Sequence, residues 1–104
     1  MAWIWLVLAA VFEMGWAVGL KLSEGFTRLW PSVWTVVSLA FSMLLLGLAA
    51  RSLPIGTAYA VWTGIGAAGT AAIGMLWLGE PVTAARVACL GLIVAGVAGL
   101  KAVG

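Results

Sequence analysis

Few side chains in this sequence can exchange a proton or hold an ion, and one of them, Glu13, stands alone inside a long apolar stretch. From Trp3 to Leu20 every other residue is apolar or small, which suits a membrane-crossing helix of about 20 residues. At about 1.5 Å of rise per residue, Glu13 lies about 15 Å from Trp3 and about 12 Å from Lys21, close to a bilayer midplane. A carboxylate at that depth is costly, and such residues mark the handling of ions, protons or cationic ligands. A buried acid kept for packing alone is the bland alternative. Offsets of three and four residues bring Ala9, Ala10, Trp16 and Ala17 to the same helical face as Glu13. The alanines leave room beside the acid. Trp16 adds an indole with one N–H donor, able to orient a carboxylate, and a ring face that attracts cations.

Two further spans carry candidate partners. Ser42 lies 11 positions after Pro31, again near mid-depth, although a lone helical serine usually bonds to its own backbone. Tyr59, Trp62 and Gly66 follow an i, i+3, i+7 pattern and share one face. Tryptophans gather at membrane interfaces, which accounts for Trp3, Trp5, Trp30, Trp34 and Trp77 near span ends, but Trp62 is deeper. Gly64-Ile65-Gly66-Ala67-Ala68-Gly69 spells the dinucleotide-binding pattern GxGxxG. That pattern needs a strand-to-helix turn and an acid about 20 positions on; here it lies inside an apolar span with Glu80 much closer, so nucleotide binding is rejected. Glycines there would serve close packing or a bend beside Trp62. The chain has no histidine, no nucleophile beside a base and no cluster of metal ligands, so neither an enzyme nor a metal or cofactor site is expected.

The elements that must hold these residues follow from composition. Of 104 residues, 65% are hydrophobic and 8% charged, and the mean hydropathy is +1.23. A soluble globule of this size could not bury so much apolar surface, so an all-α integral membrane protein is expected. Apolar runs at about 3–21, 31–50, 56–78 and 85–103 predict four spans in one transmembrane domain covering 1–104. The first run is too long for a signal-peptide core and lacks a basic lead, so it reads as retained. Pro31 suits the first turn of the second helix, and Thr83 suits a cap for the fourth. The short loop Arg51-Ser52-Leu53-Pro54 predicts that the second and third helices are antiparallel neighbours. The fourth span has no mid-depth polar group, and Cys89 and Gly96, two turns apart with Gly91 and Gly99 nearby, predict a seam for dimerisation or for internal packing. Cys89 is the single cysteine, so no disulfide can form within one chain.

Charge gives little sidedness. Net charge is +2, from basic residues scattered over helix ends, which is no nucleic-acid footprint. Arg51 and Lys101 fall on one side of four spans, and Lys21, Arg28 and Arg86 on the other. A difference of one, nearly erased by the amino terminus, fits either a weakly biased orientation or insertion in both.

Taken together, the mid-span Glu13, Ser42, the segment Gly56-Thr57-Ala58-Tyr59-Ala60-Val61-Trp62 and the loop Gly25-Phe26-Thr27-Arg28 resemble the small multidrug resistance transporters over essentially the whole chain. Trp16, the run Trp62-Thr63-Gly64-Ile65-Gly66-Ala67 and the ending Gly99-Leu100-Lys101 are similar to the guanidinium-exporting branch. The polyaromatic-drug branch typically has glycine where this chain has Trp16. Ala10 and Leu39 depart from the guanidinium branch, which often has Gly and Met there, and touch the expected site wall. The resemblance implies an antiparallel, dual-topology homodimer in the bacterial cytoplasmic membrane, exchanging cytoplasmic guanidinium for external protons by alternating access. Two opposed copies would form an inverted repeat around a midplane site.

On that basis the two Glu13 carboxylates would form one site where protons and substrate compete. Trp16 and Trp62 would donate hydrogen bonds to the carboxylates, and Ser42 and Tyr59 would arrange the pair. An exporter of quaternary ammonium or other small cationic drugs is the nearest alternative, binding through ring faces instead of donated hydrogen bonds. A small accessory subunit or passive proton channel would need no such competition.

Overall fold

The computed structural model describes residues 2–103, which form four α-helices: α1 (Ala2–Leu22), α2 (Leu29–Ala50), α3 (Ile55–Trp77) and α4 (Ala84–Val103). Each is long and apolar enough to cross a membrane. Their ends follow from local chemistry. Pro31 sits in the first turn of α2, where its missing N–H costs nothing. Thr83 caps α4, its Oγ1 accepting the Arg86 N–H at 3.1 Å. Between α1 and α2, the Ser23 hydroxyl donates to the Leu20 carbonyl at 2.8 Å and accepts the Phe26 N–H at 3.1 Å. The chain then turns through left-handed conformations at Glu24, Gly25 and Phe26.

The helices do not close into a bundle. They form a slab about 40 × 34 × 16 Å, little thicker than one helix with its side chains. α1 lies in the middle, packed most extensively on α2 and then on α3, while α4 packs along α3 and reaches α1 where Lys101 Nζ lies 5.7 Å from the centroid of the Trp3 ring. α2 and α3 are neighbours, as the short second loop requires, and share a buried hydrogen bond, although theirs is the slightest of the helix contacts.

Close approach of α1 and α2 rests on Gly15 and Gly19, one turn apart. A Cβ on Gly19 would meet Thr35 Oγ1 and Trp34 Cδ1 at 2.6 Å, and one on Gly15 would meet Trp34 Cζ2 at 3.3 Å. Trp34 uses this groove to donate from Nε1 to the Gly15 carbonyl at 2.9 Å, so it ties two helices together as well as lying near a span end. Gly64 likewise admits Val97 and Ile93 of α4, since a Cβ there would sit 2.6 Å from Val97 Cγ2. α3 is helical without interruption through Gly64, Gly66 and Gly69, each of which lies against a side chain of α1 or α4.

The buried apolar core is confined to one half of the slab. Leu6, Ala9 and Ala10 of α1 meet Leu46 and Ala49 of α2 and Ala58, Val61 and Trp62 of α3. All lie toward the second loop. The half nearer the first and third loops is packed less completely and holds a cavity.

Candidate functional site

Glu13 stands where these two halves meet. It lies one turn beyond Ala9 on α1, and its carboxylate is pressed against Gly66 of α3 so closely that a Cβ at Gly66 would overlap it. Gly66 therefore makes the space the acid occupies. One carboxylate oxygen, Oε2, is buried without a hydrogen-bond partner. Trp16, one turn further along α1, has its Nε1 buried and equally unpartnered. The hydrogen bond expected from Trp16 to the carboxylate is thus not formed, and a donor and an acceptor one turn apart on α1 are both left buried and unsatisfied. Buried polar groups are nearly always paired, so two such orphans together indicate a place prepared for something else.

That space is a cavity of about 320 Å³ running along the groove between α1 and α3. Its inner wall includes Glu13, Trp16, Ala17, Gly66 and Thr70, and its outer end is lined by Lys21, Leu78 and Glu80. Glu80 is brought there by the third loop, which folds back so that the Glu80 N–H donates to the Gly74 carbonyl at 3.1 Å. Its carboxylate lies over Gly74, where a Cβ would be 2.5 Å from Oε1. Lys21 and Glu80 place one charge of each sign at the mouth.

Ser42 and Trp62 do something different from what the sequence suggested. Trp62 Nε1 donates to Ser42 Oγ at 2.8 Å, and Ser42 Oγ donates to the Ala9 carbonyl at 2.7 Å, both bonds fully buried. Trp62 is therefore engaged by Ser42 rather than by the Glu13 carboxylate. Ala9 is also the residue whose carbonyl receives the Glu13 amide in an α-helix. The relay links α3 through α2 to the turn that carries the acid and fixes its backbone from behind. Tyr59 is 55% exposed and leans on Trp62, with ring centroids 5.6 Å apart and planes 54° apart, so within one chain it faces outward.

Of the small residues expected to make room for the acid, only Ala17 lines the cavity; Ala9 and Ala10 are wholly buried in the core. Leu39 is 38% exposed and lies outside the cavity wall. On α4 no residue is buried. Cys89 is exposed at the edge of a small cleft shared with Ala71 and Met75 of α3, and a Cβ on Gly96 would meet open space. No group of three or more metal-ligating side chains occurs among the described residues.

Sequence reasoning missed three features. Thr70 lines the cavity beside Glu13, Glu80 reaches its mouth, and Gly15 and Gly19 form the seam that holds α1 to α2. The last had a signal, two glycines four apart in an apolar helix. The position of Glu80 depends on the path of the third loop, which no local pattern specifies.

Comparison with known proteins agrees with this architecture. The sequence model of the family described as Small Multidrug Resistance protein matches residues 1–93. A protein of Yersinia pseudotuberculosis serotype I named guanidinium exporter is 59% identical over 101 residues, covering 97% of each chain. Guanidinium exporters of Salmonella typhimurium strain LT2 and Citrobacter freundii are each 55% identical over 101 residues, covering 97% of this chain and 96% of theirs.

Proposed function

This chain belongs to the small multidrug resistance family, and we propose that it exports guanidinium across the bacterial cytoplasmic membrane in exchange for protons. It is a multi-pass membrane protein, and its task is transport rather than the making or breaking of covalent bonds. Relatives at 55% to 59% identity carry the name guanidinium exporter along nearly their whole length. The observation that carries the mechanism is the Glu13 carboxylate, presented at mid-span in a cavity with an unpartnered oxygen.

Guanidinium is a planar, donor-only cation of the kind that pairs with carboxylates in a fork geometry. Protonating Glu13 removes both the charge and part of the acceptor capacity that such a cation needs. Proton and substrate therefore compete for one group, which is the basis of exchange. Trp16 Nε1, a donor with no acceptor ability, can satisfy the carboxylate but not the cation. The Trp62–Ser42–Ala9 relay holds the turn beneath the acid while its protonation changes.

The working unit in this reading is a homodimer of two copies inserted in opposite senses. The slab shape supports it, because one chain does not enclose a polar path. So does α4, which buries no residue within one chain and offers Cys89 and Gly96, with Gly91 and Gly99, to a second copy. In such a pair the two Glu13 residues share a midplane site, with Tyr59 turned toward the partner chain, and exchanging the roles of the two copies reverses the side that is open.

Purified protein in liposomes tests this. A proton gradient should drive guanidinium accumulation, and guanidinium affinity should weaken as the pH is lowered. Glu13→Gln should abolish the driven uptake and remove the pH dependence of any remaining binding. Proton-driven guanidinium uptake by Glu13→Gln would falsify the mechanism, and collapse of the gradient without accumulation would identify a channel. Tetramethylammonium in a parallel assay measures how far the site accepts cations without N–H groups.

A further inference from the structure

Glu13 and Trp16 account for two of the buried, unpartnered polar atoms on residues that line the cavity, and a third remains. Thr70 lies on α3 one turn beyond Gly66, the residue pressed against the Glu13 carboxylate, and it lines the same cavity. Its Oγ1 is buried and has no hydrogen-bond partner. A threonine hydroxyl in a helix ordinarily donates to the carbonyl one turn back. Thr35 of this chain does so, to the Pro31 carbonyl at 2.7 Å. Thr70 has the same option and does not use it.

Among the side chains lining the cavity, the acceptors are Glu13, Glu80 and Thr70. Glu80 stands at the outer end, so Thr70 supplies the only uncharged acceptor and the only one beside Glu13. Lys21 and Trp16 can donate but not accept. A carboxylate and a hydroxyl on facing helices suit a flat cation that carries N–H groups along more than one edge. A quaternary ammonium ion has no N–H to offer the hydroxyl.

We propose that Thr70 is a specificity-determining residue of the transport site, its Oγ1 accepting an N–H of guanidinium while Glu13 accepts others. This rests on the exporter reading above and adds a residue to it. The hydroxyl raises affinity for N–H cations over equally charged cations that lack N–H. It also leaves its own proton free to turn toward the Gly66 carbonyl when the substrate is bound.

The experiment measures guanidinium and tetramethylammonium binding by competition, using the full-length protein and the variants Thr70→Val, Thr70→Ser and Thr70→Ala. Valine keeps the volume and removes the hydroxyl; serine keeps the hydroxyl and removes the methyl. Thr70→Val and Thr70→Ala should weaken guanidinium binding about tenfold, the effect of losing one hydrogen bond to a charged ligand. Thr70→Ser should stay within about twofold of the unaltered protein, and none of the three should change tetramethylammonium binding by more than that. Guanidinium binding by Thr70→Val equal to that of the unaltered protein overturns the proposal, as does an equal loss for both cations. A loss in Thr70→Ser as large as in Thr70→Val assigns the effect to packing and overturns it too. Failure of the unaltered protein to bind guanidinium would instead overturn the exporter reading itself, so the two failures are distinct.

Discussion

At the scale of single residues, the site depends as much on what is absent at Gly66 as on what is present at Glu13. The carboxylate occupies the volume that a side chain at Gly66 would fill. Gly66→Ala should therefore displace the acid from the α3 wall and reduce guanidinium transport at least tenfold, since small misplacements of a binding group have large effects. Transport and melting measured on the same preparation check this, because a loss of transport without a matching loss of stability is the expected result. Glu13 was legible in the sequence because it is the one ionisable residue deep inside an apolar run. Thr70 was not, because a threonine inside a helix normally satisfies itself and its spacing does not reveal that it fails to. The partner of Trp62 was misjudged for a related reason. Helical periodicity gives the face on which Trp62 lies, but only the packing of α2 against α1 brings Ser42, and not the acid, within 2.8 Å of its indole.

At the scale of helices, α1 is the organising element, with its Gly15 and Gly19 edge toward α2 and its Glu13 and Trp16 edge toward α3 and the cavity. The seam at Gly19 has no slack, since a Cβ would be 2.6 Å from both Thr35 Oγ1 and Trp34 Cδ1. Gly19→Ala should accordingly destabilise the protein by about 1–3 kcal/mol through overpacking. Denaturation of the variant in detergent measures the cost. An unchanged midpoint would mean that the two helices can separate freely at that point. Four apolar runs separated by loops rich in Gly, Pro and charge made the helices readable from the sequence. Their neighbours were harder to read. A short loop requires that helices be close at one end, and the close α1–α2 contact at two glycines then decides which pair stays together along its length.

At the scale of the whole molecule, the near-equal distribution of basic residues belongs with the proposed opposed pair. Adding positive charge to the first and third loops, as in Glu24→Lys with Val82→Arg, should fix most copies in one orientation and sharply lower transport. Coexpression with Ser52→Arg carrying Ala2→Lys, biased the other way, should restore it. Reporter fusions active on one side of the membrane read the orientation, and transport by the first variant alone would show that a single orientation suffices. The uneven packing of the slab has a further consequence. A solute passing between Lys21 and Glu80 can descend to Glu13, but beyond the acid it meets Leu6, Ala9, Ala10 and the Trp62–Ser42 pair, all tightly packed. One copy is thus a blind alley, stopped at its inner end. Passage to the far face has to come from parting that plug or from a neighbour whose doorway faces the other way.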